Sequence, residues 1–170
     1  MLTLGTVLEA LTDQSYEQVT QVITDASIDS RLVIPGSLFV AIKGERVDGH
    51  EYVQDAIQQG AVVALIERKI SAEISTLDVR KSIDDEDLAN IEIPVAILVD
   101  STVDALQKIA KHWRQKLTLR VIGITGSVGK STTKELTADV LSRRYRTLKN
   151  PGNLNNEIGL PLSLLRLTQA

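Results

Sequence analysis

A glycine-rich turn indicates the fold class of this chain: Gly123-Ile-Thr-Gly-Ser-Val-Gly-Lys-Ser-Thr132. An apolar run at residues 119–124 leads into it, and a helical pattern begins near Lys130. In such a turn successive backbone N–H groups point into one concavity, and the start of the helix adds partial positive charge. Small residues are needed because a Cβ would hold the backbone away from phosphate oxygens. We therefore predict a strand, a phosphate-binding turn and a helix.

Each residue type in this phosphate turn, residues 123–132, suits nucleotide binding. Lys130 can reach the β- and γ-phosphates, and the hydroxyl of Ser131, or less readily that of Thr132, can bind Mg²⁺. Ile124 stands where the full phosphate-loop consensus has glycine, so an ordinary glycine turn is the alternative. The predicted strand and helix on either side favour the phosphate site. The predicted ATP-binding residues are Thr125, Gly126, Ser127, Val128, Gly129, Lys130, Ser131 and Thr132.

Composition narrows the class of protein. The 170 residues carry a net charge of −3 and no cysteine, which argues against a nucleic-acid partner, a disulfide framework and a thiolate site. The longest apolar stretches are strand-sized, far short of the ~20 residues that cross a bilayer, so we expect no membrane insertion. The N-terminus lacks the pattern of a signal peptide. We expect a cytoplasmic monomer.

Strands and helices alternate along the chain. Apolar runs at residues 37–42, 61–66 and 94–99 predict buried strands, and residues 119–124 and 145–148 predict two more. This alternation favours an α/β fold with largely parallel strands. We place a domain boundary near Asp100, which gives domains at 1–100 and 101–170, the second of them incomplete. The acidic cluster at residues 84–87 lies in a polar stretch, 69–92, which we interpret as a solvated insertion rather than a cation site.

Two blocks of the sequence resemble the Mur ligases, ATP-dependent enzymes that extend the peptide of the peptidoglycan precursor. The first block runs from Ile28 to His50 and is similar to the N-terminal, UDP-binding domain of that family. The second contains the phosphate turn, Thr133-Lys-Glu135 and the stretch from Asn150 to Leu162. The resemblance implies a small α/β UDP-substrate-binding domain followed by the start of a central P-loop ATPase domain. The remainder of that domain and a C-terminal domain have no counterpart, so we expect the chain alone to be inactive.

The resemblance also implies a reaction. The carboxylate of UDP-N-acetylmuramoyl-tripeptide would form an acyl phosphate with ATP and Mg²⁺, and D-alanyl-D-alanine would then form the amide. The stretch Gly152-Asn-Leu-Asn-Asn-Glu-Ile-Gly159 favours family members with this specificity. Two alternatives remain: the related ligase that adds the third amino acid, and a non-catalytic module that binds a UDP-sugar or nucleotide.

Residue roles follow from the same resemblance. Lys130 is the implied catalytic cation. The amides of Asn153, Asn155 and Asn156 would contact substrate near the γ-phosphate, or alternatively shape a turn or cap the next helix. Arg31 would pair with the UDP pyrophosphate. The implied UDP-binding residues are Ser30, Arg31, Lys43, Gly44, Arg46, Asp48, Gly49 and His50. For each of them a role in a surface turn is the alternative. Asp48 and His50 would contact uracil or ribose, unless His50 only caps the helix that follows.

Overall fold

A computed structural model describes residues 1–152 and 155–168 of the chain. Within these ranges the helices are α1 (Leu4–Thr12), α2 (Val53–Gln58), α3 (Asp85–Ala89), α4 (Thr102–Lys116), α5 (Lys130–Ser142) and α6 (Gly159–Leu165). The strands are β1 (Ala26–Ser27), β2 (Leu38–Val40), β3 (Val63–Ile66), β4 (Ser75–Asp78) and β5 (Val95–Leu98). Two short 3-10 helices, Ser30–Leu32 and Gly49–Tyr52, follow β1 and precede α2. The predicted α/β fold is confirmed.

The described strands form one parallel sheet in the order β1-β2-β3-β5-β4. The first three strands lie side by side in chain order, β4 forms the far edge, and β5 lies between β3 and β4. Because all of these strands run the same way, the segments that follow them emerge at one edge of the sheet. Ligands of open α/β sheets commonly bind at that carboxyl edge.

Side chains of the strands alternate between two apolar layers, as the pleat requires. Leu38 and Val40 pack with α1 and α4 on one face, whereas Phe39 packs with α2 on the other. Ser101 caps the start of α4 by accepting a hydrogen bond from the Asp104 N–H at 3.2 Å. Strands β2, β3 and β5 are buried on both faces, which explains their continuous apolar runs.

The polar stretch 69–92, interpreted from the sequence as a solvated insertion, contains regular secondary structure that the sequence analysis does not predict. This stretch contributes the edge strand β4 and the short helix α3. In β4 only Leu77 is buried, because an edge strand exposes much of its surface, and so its sequence carries no continuous apolar signal. Two members of the acidic cluster, Asp84 and Asp87, cap α3 through reciprocal side-chain-to-backbone hydrogen bonds.

The strands predicted at residues 119–124 and 145–148 are also absent from the described part of the chain, where both segments are irregular. Val121 and Ile122 are exposed. A β-strand needs a neighbour for its backbone hydrogen bonds, and no described segment pairs with either of these. The helix predicted after the phosphate turn is confirmed as α5.

Helix α6 packs the end of the described chain against the rest of the fold. It packs against α4 and contacts β1. The indole Nε1 of Trp113 donates to the carbonyl of Leu167 at 3.0 Å, and the amide of Gln107 donates to that of Glu157 at 3.1 Å. Among the described helices, none combines the length and apolar character that a membrane crossing requires.

Candidate functional site

The phosphate turn is open and is shaped by two glycines. Gly126 and Gly129 have φ of +145° and +84°, values that side-chain-bearing residues rarely adopt. Gly129 precedes the first residue of α5, Lys130, whose ammonium group lies across the turn and donates to the carbonyl of Gly126. A Cβ added to Gly129 would meet nothing within 4 Å, so the space beside the backbone is open here.

The first turn of α5 supplies the remaining groups. Backbone N–H groups at the start of a helix have no acceptor within the helix, and those of Lys130, Ser131 and Thr132 occupy these positions. Ser131 and Thr132 are exposed residues. Amide donors, an ammonium group and hydroxyls fit a triphosphate with its Mg²⁺. In the described residues no group of three or more histidine, cysteine or acidic side chains could bind a metal.

Residues 150–152, at the start of an asparagine-rich loop, are hydrogen-bonded to α5. The ammonium group of Lys134 donates to the carbonyls of Asn150 and Gly152 at 2.9 and 3.2 Å. Asn156 accepts from the Gly159 N–H at 2.7 Å through its side-chain oxygen, so it caps α6, the alternative that the sequence left open. Asn155 is exposed, and the predicted residue Asn153 lies outside the described residues.

Sequence reasoning assigned no role to Lys134, although it lies one helical turn after Lys130 and therefore on the same face of α5. Its neighbour Glu135 pairs with Lys149, and hydrogen bonding to that lysine lowers the pKa of the Glu135 carboxyl. Together these contacts fasten residues 149–152 against the helix that begins at the phosphate turn. The two halves of the second sequence block are thus brought together.

The predicted UDP-binding residues gather at the carboxyl edge of the sheet. Ser30 and Arg31 directly follow β1, and residues 43–50 follow its parallel neighbour β2. Arg31 is highly exposed and makes a forked contact with Asp29, with Nε–Oδ1 and Nη2–Oδ2 distances of 2.9 and 2.6 Å. Hydrogen bonds from Arg31 lower the pKa of Asp29 to about 2. A pyrophosphate would therefore have to compete with Asp29 for this guanidinium group.

Residues 42–50 form a compact turn with two exposed cations, Lys43 and Arg46. The Gly44 N–H donates to the carbonyl of Val47 at 2.9 Å, and the Gly49 N–H donates to that of Ile42 at 2.9 Å. A Cβ on Gly49 would lie 2.7 Å from the Ile42 nitrogen, so close backbone approach requires glycine there. The 42–50 turn thus presents both cations from a backbone held at its two ends.

His50 lies beneath this turn and is almost fully buried. Its Nε2 lies 2.9 Å from the Glu67 nitrogen and accepts that N–H, so the ring proton must reside on Nδ1, 2.6 Å from Asp48 Oδ1. Hydrogen bonds from His50 lower the pKa of Asp48, and Arg68 contributes a further one at 3.0 Å. Both ring nitrogens are engaged within the protein. The geometry therefore favours a positioning role for His50 over direct contact with uracil or ribose.

Behind His50 lies a buried contact that the sequence did not predict. Glu67 Oε1 accepts the Thr102 N–H at 2.9 Å and lies 3.0 Å from Thr102 Oγ1. The same hydroxyl lies 3.0 Å from the carbonyl of Ala41, at the end of β2. The available signal was the position of Glu67 directly after a buried strand, since such a residue faces the ligand edge of a parallel sheet. We call Asp48, His50, Glu67 and Thr102 the edge network.

A groove of about 460 Å³ lies elsewhere, lined in part by Leu4, Val19, Leu88 and Ile93. It touches none of the predicted site residues. The described chemistry is concentrated at the sheet edge and the phosphate turn.

Comparison with known proteins matches both halves of the chain. The family model described as "Mur ligase family, catalytic domain" matches residues 22–114, and the family model described as "Mur ligase middle domain" matches residues 124–170. A UDP-N-acetylmuramoyl-tripeptide–D-alanyl-D-alanine ligase from Bacillus subtilis is 39% identical over 159 residues, which cover 94% of this chain and 31% of that protein.

Solved structures agree. A UDP-N-acetylmuramoylalanyl-D-glutamyl-2,6-diaminopimelate–D-alanyl-D-alanyl ligase from Acinetobacter baumannii superposes with a TM-score of 0.72 at 34% identity, covering 97% of this chain and 33% of that one. The MurF ligase from Thermotoga maritima in complex with ADP gives 0.64 at 33% identity, covering 95% and 30%. The chain thus spans about a third of the length of these relatives. The first family description alone matches more than half of the chain, which therefore belongs to the Mur ligase family.

Proposed function

We propose that this chain forms the N-terminal part of a ligase that joins D-alanyl-D-alanine to UDP-N-acetylmuramoyl-tripeptide at the expense of ATP. The observation that carries the proposal is the open glycine turn at the start of α5, with the Lys130 ammonium group lying across it. The names of the relatives support the choice of D-alanyl-D-alanine over another amino acid. The proposal covers ATP, both substrates and the amide product.

The reaction has two balanced steps. The terminal carboxylate of the tripeptide takes the γ-phosphoryl group of ATP, which yields an acyl phosphate and ADP. The amine of D-alanyl-D-alanine then attacks the acyl carbon, phosphate leaves with the bonding electrons, and the nitrogen releases one proton to the solvent. The backbone N–H groups of residues 125–131 would bind phosphate oxygens, and Lys130 would neutralise their charge. Charge-assisted hydrogen bonds of this kind contribute about 1.5–3 kcal/mol each.

Mg²⁺ would be held at Ser131, with Thr132 as the neighbouring hydroxyl, and would offset the negative charge of the phosphates. Of the loop amides, Asn155 is exposed and free to face substrate, whereas Asn156 is engaged in capping α6. For the UDP moiety we propose the carboxyl edge of β1 and β2. Lys43 and Arg46 present their charges to solvent there, and Arg31 would exchange its contact with Asp29 for the pyrophosphate.

We further propose that the protein works as a cytoplasmic monomer, since its substrates are ATP and a UDP-linked precursor. The division into a UDP-binding domain at 1–100 and the start of an ATPase domain at 101–170 is part of the same proposal. Two separate family models, which match residues 22–114 and 124–170, support a division into two parts, although the first match extends beyond residue 100. Analytical ultracentrifugation tests the oligomeric state.

Calorimetric titration tests the two binding sites separately. We expect the chain to bind UDP-N-acetylmuramoyl-tripeptide, and Lys130→Ala to leave that affinity unchanged, because the sheet edge does not involve the phosphate turn. Mg-ATP should bind weakly, since the relatives are about three times longer and the chain contains only part of their length. A folded sample that binds no uridine nucleotide would contradict the assignment of the edge.

A chimera tests the reaction. The 159 matched residues of the Bacillus subtilis relative are replaced by those of this chain, and ADP release is measured with and without D-alanyl-D-alanine. We expect release that depends on D-alanyl-D-alanine, and a loss of at least ten- to a hundred-fold with Lys130→Ala. Lys111→Ala, an exposed position on α4, is the matched control. Release that responds only to a different amino acid would refute the proposed specificity.

A further inference from the structure

The two ends of the 42–50 turn are held from below by α4 and β3. At its entry, the Thr102 hydroxyl, which has a single proton to share, lies 3.0 Å from the Ala41 carbonyl and 3.0 Å from Glu67 Oε1. At its exit, the Glu67 N–H donates to His50 Nε2 at 2.9 Å. Glu67 therefore contacts the exit of the turn directly, through its backbone N–H, and the entry indirectly, through the contact of its carboxylate with Thr102.

The contact between Thr102 and Ala41 is buried, and the contacts that involve Glu67 are part-buried. Thr102 is fully buried and His50 nearly so. A buried hydrogen bond that is lost cannot be replaced by solvent, so the cost of breaking it is larger than at the surface. The carbonyl and the ring nitrogen that define the ends of the turn therefore have little freedom to shift while the edge network is intact.

The charge of Glu67 also determines where an anion can bind. Its carboxylate accepts the N–H of Thr102, the first residue of α4, and a negative group at a helix start is favourable. The start of α4 is thus already occupied by a carboxylate of the protein. At this edge, Lys43 and Arg46 remain as exposed cations on the turn itself.

We infer that Glu67 and Thr102 are positioning residues for nucleotide binding: they fix the 42–50 turn so that its backbone and cations meet the diphosphate of the substrate, although Thr102 itself is buried and makes no contact with ligand. This inference rests on the proposed function, because it assigns the diphosphate to that turn. It adds two residues, separated by 35 positions in the chain, that no sequence motif connects.

A pair of substitutions at one position tests the inference. Thr102→Val keeps the shape and removes the hydroxyl, whereas Thr102→Ser keeps the hydroxyl. In the first measurement, without ligand, hydrogen exchange is followed at the Gly44 and Gly49 amides, whose hydrogen bonds define the turn. We expect about five- to ten-fold faster exchange in the valine variant and rates within about two-fold of wild type in the serine variant.

In the second measurement, UDP is titrated into each variant at a temperature where all are folded. We expect the valine variant to bind about five- to ten-fold more weakly and the serine variant to bind like wild type. Ile109→Val, a core substitution in α4, controls for loss of stability and should leave UDP affinity unchanged. Should the valine variant fail to fold, Glu67→Gln takes its place with the same expected direction and a smaller effect, because its neutral amide oxygen accepts the Thr102 N–H more weakly than a carboxylate does.

The outcomes separate the two levels of the proposal. Faster exchange together with weaker UDP binding, both restored by serine, supports the inference. Unchanged exchange in the valine variant, or faster exchange with unchanged affinity, overturns it while the UDP site stands. If the wild-type chain binds no UDP at all, the proposed nucleotide site fails, and the positioning role fails with it.

Discussion

Replacing His50 should separate the two hydrogen bonds of its ring. Phenylalanine keeps the ring and loses both interactions. Glutamine can place an amide oxygen near the position of Nε2 and so keep an acceptor for the Glu67 N–H. Asparagine can place an amide donor near the position of Nδ1 and so keep the contact with Asp48, but it leaves the Glu67 N–H without its acceptor.

The magnitudes follow from burial. A buried donor left without a partner costs about 1–3 kcal/mol, and a hydrogen bond to a charged group contributes about 1.5–3 kcal/mol. The Asp48 side chain is 22% exposed, against 2% for His50, so water can partly replace the bond on that side. We therefore expect losses of unfolding free energy of about 3 kcal/mol for phenylalanine, 2 kcal/mol for asparagine and 1.5 kcal/mol for glutamine. The largest corresponds to a fall in Tm of roughly 6–12 °C.

Thermal and urea unfolding measure this series, with fluorescence of Trp113, the single tryptophan of the chain, as the probe. The other histidine provides the control: His112 is 26% exposed and lies 3.5 Å from Glu9, so His112→Gln should cost less than about 1 kcal/mol. If His50→Phe proved as stable as wild type, or if asparagine were tolerated better than glutamine, the assignment of Nε2 as the acceptor of a buried N–H would be wrong.

Three further measurements concern the pKa of Asp48, the close packing at Gly49 and the hydrogen bond of Trp113. NMR titration of the Asp48 carboxyl should give a midpoint below the usual pKa of about 3.9. The ionised carboxylate then stabilises the fold fully above the pKa of the unfolded chain. This stabilisation declines as the pH falls below it, because the unfolded chain takes up the proton first. Gly49→Ala should cost about 1–3 kcal/mol in urea unfolding, since its Cβ would clash with backbone at 2.7 Å, whereas Gly123→Ala, with nothing within 4 Å, should cost less than half as much. Trp113→Phe removes the donor to Leu167 and should cost about 1 kcal/mol while speeding proteolysis near the C-terminus; unchanged cleavage would argue that this bond does not anchor α6.

The parts of the fold that the sequence predicts are those whose signal is local. Strands β2, β3 and β5 are buried on both faces, so each is a continuous apolar run that stands out from the polar residues around it. Helix α4 carries a capping serine and an apolar stripe within its own residues. The phosphate turn is likewise contained in ten consecutive positions, and α5 begins where that pattern places it.

The parts that the sequence does not predict depend on distant partners. Strand β4 is defined by its pairing with β5, and its own residues are half-polar because it lies at the sheet edge. Residues 119–124 have the opposite character: an apolar run with no described neighbour to pair with. The long-range hydrogen bonds in and beside the edge network join residues 17, 35 and 61 positions apart, so no spacing rule could have connected Glu67 with His50 or Thr102.

The two predicted anion sites therefore differ in how they are built, and this difference has a consequence for mutation. The phosphate turn uses backbone N–H groups and one lysine from a single stretch, so its shape depends mainly on the conformations that Gly126 and Gly129 permit. The 42–50 turn presents side-chain cations, and its shape depends on contacts from β3 and α4. Substitutions far away in sequence can thus disturb the second site without touching a ligand, whereas the first should be sensitive chiefly to its own ten residues. Helix α4 supports the 42–50 turn at its start and packs against α6 along its length, and α6 also contacts β1. The second half of the chain is therefore connected to the sheet edge through at least two contacts, α6 with α4 and α6 with β1, and a substitution in α6 can act on the 42–50 turn through either one.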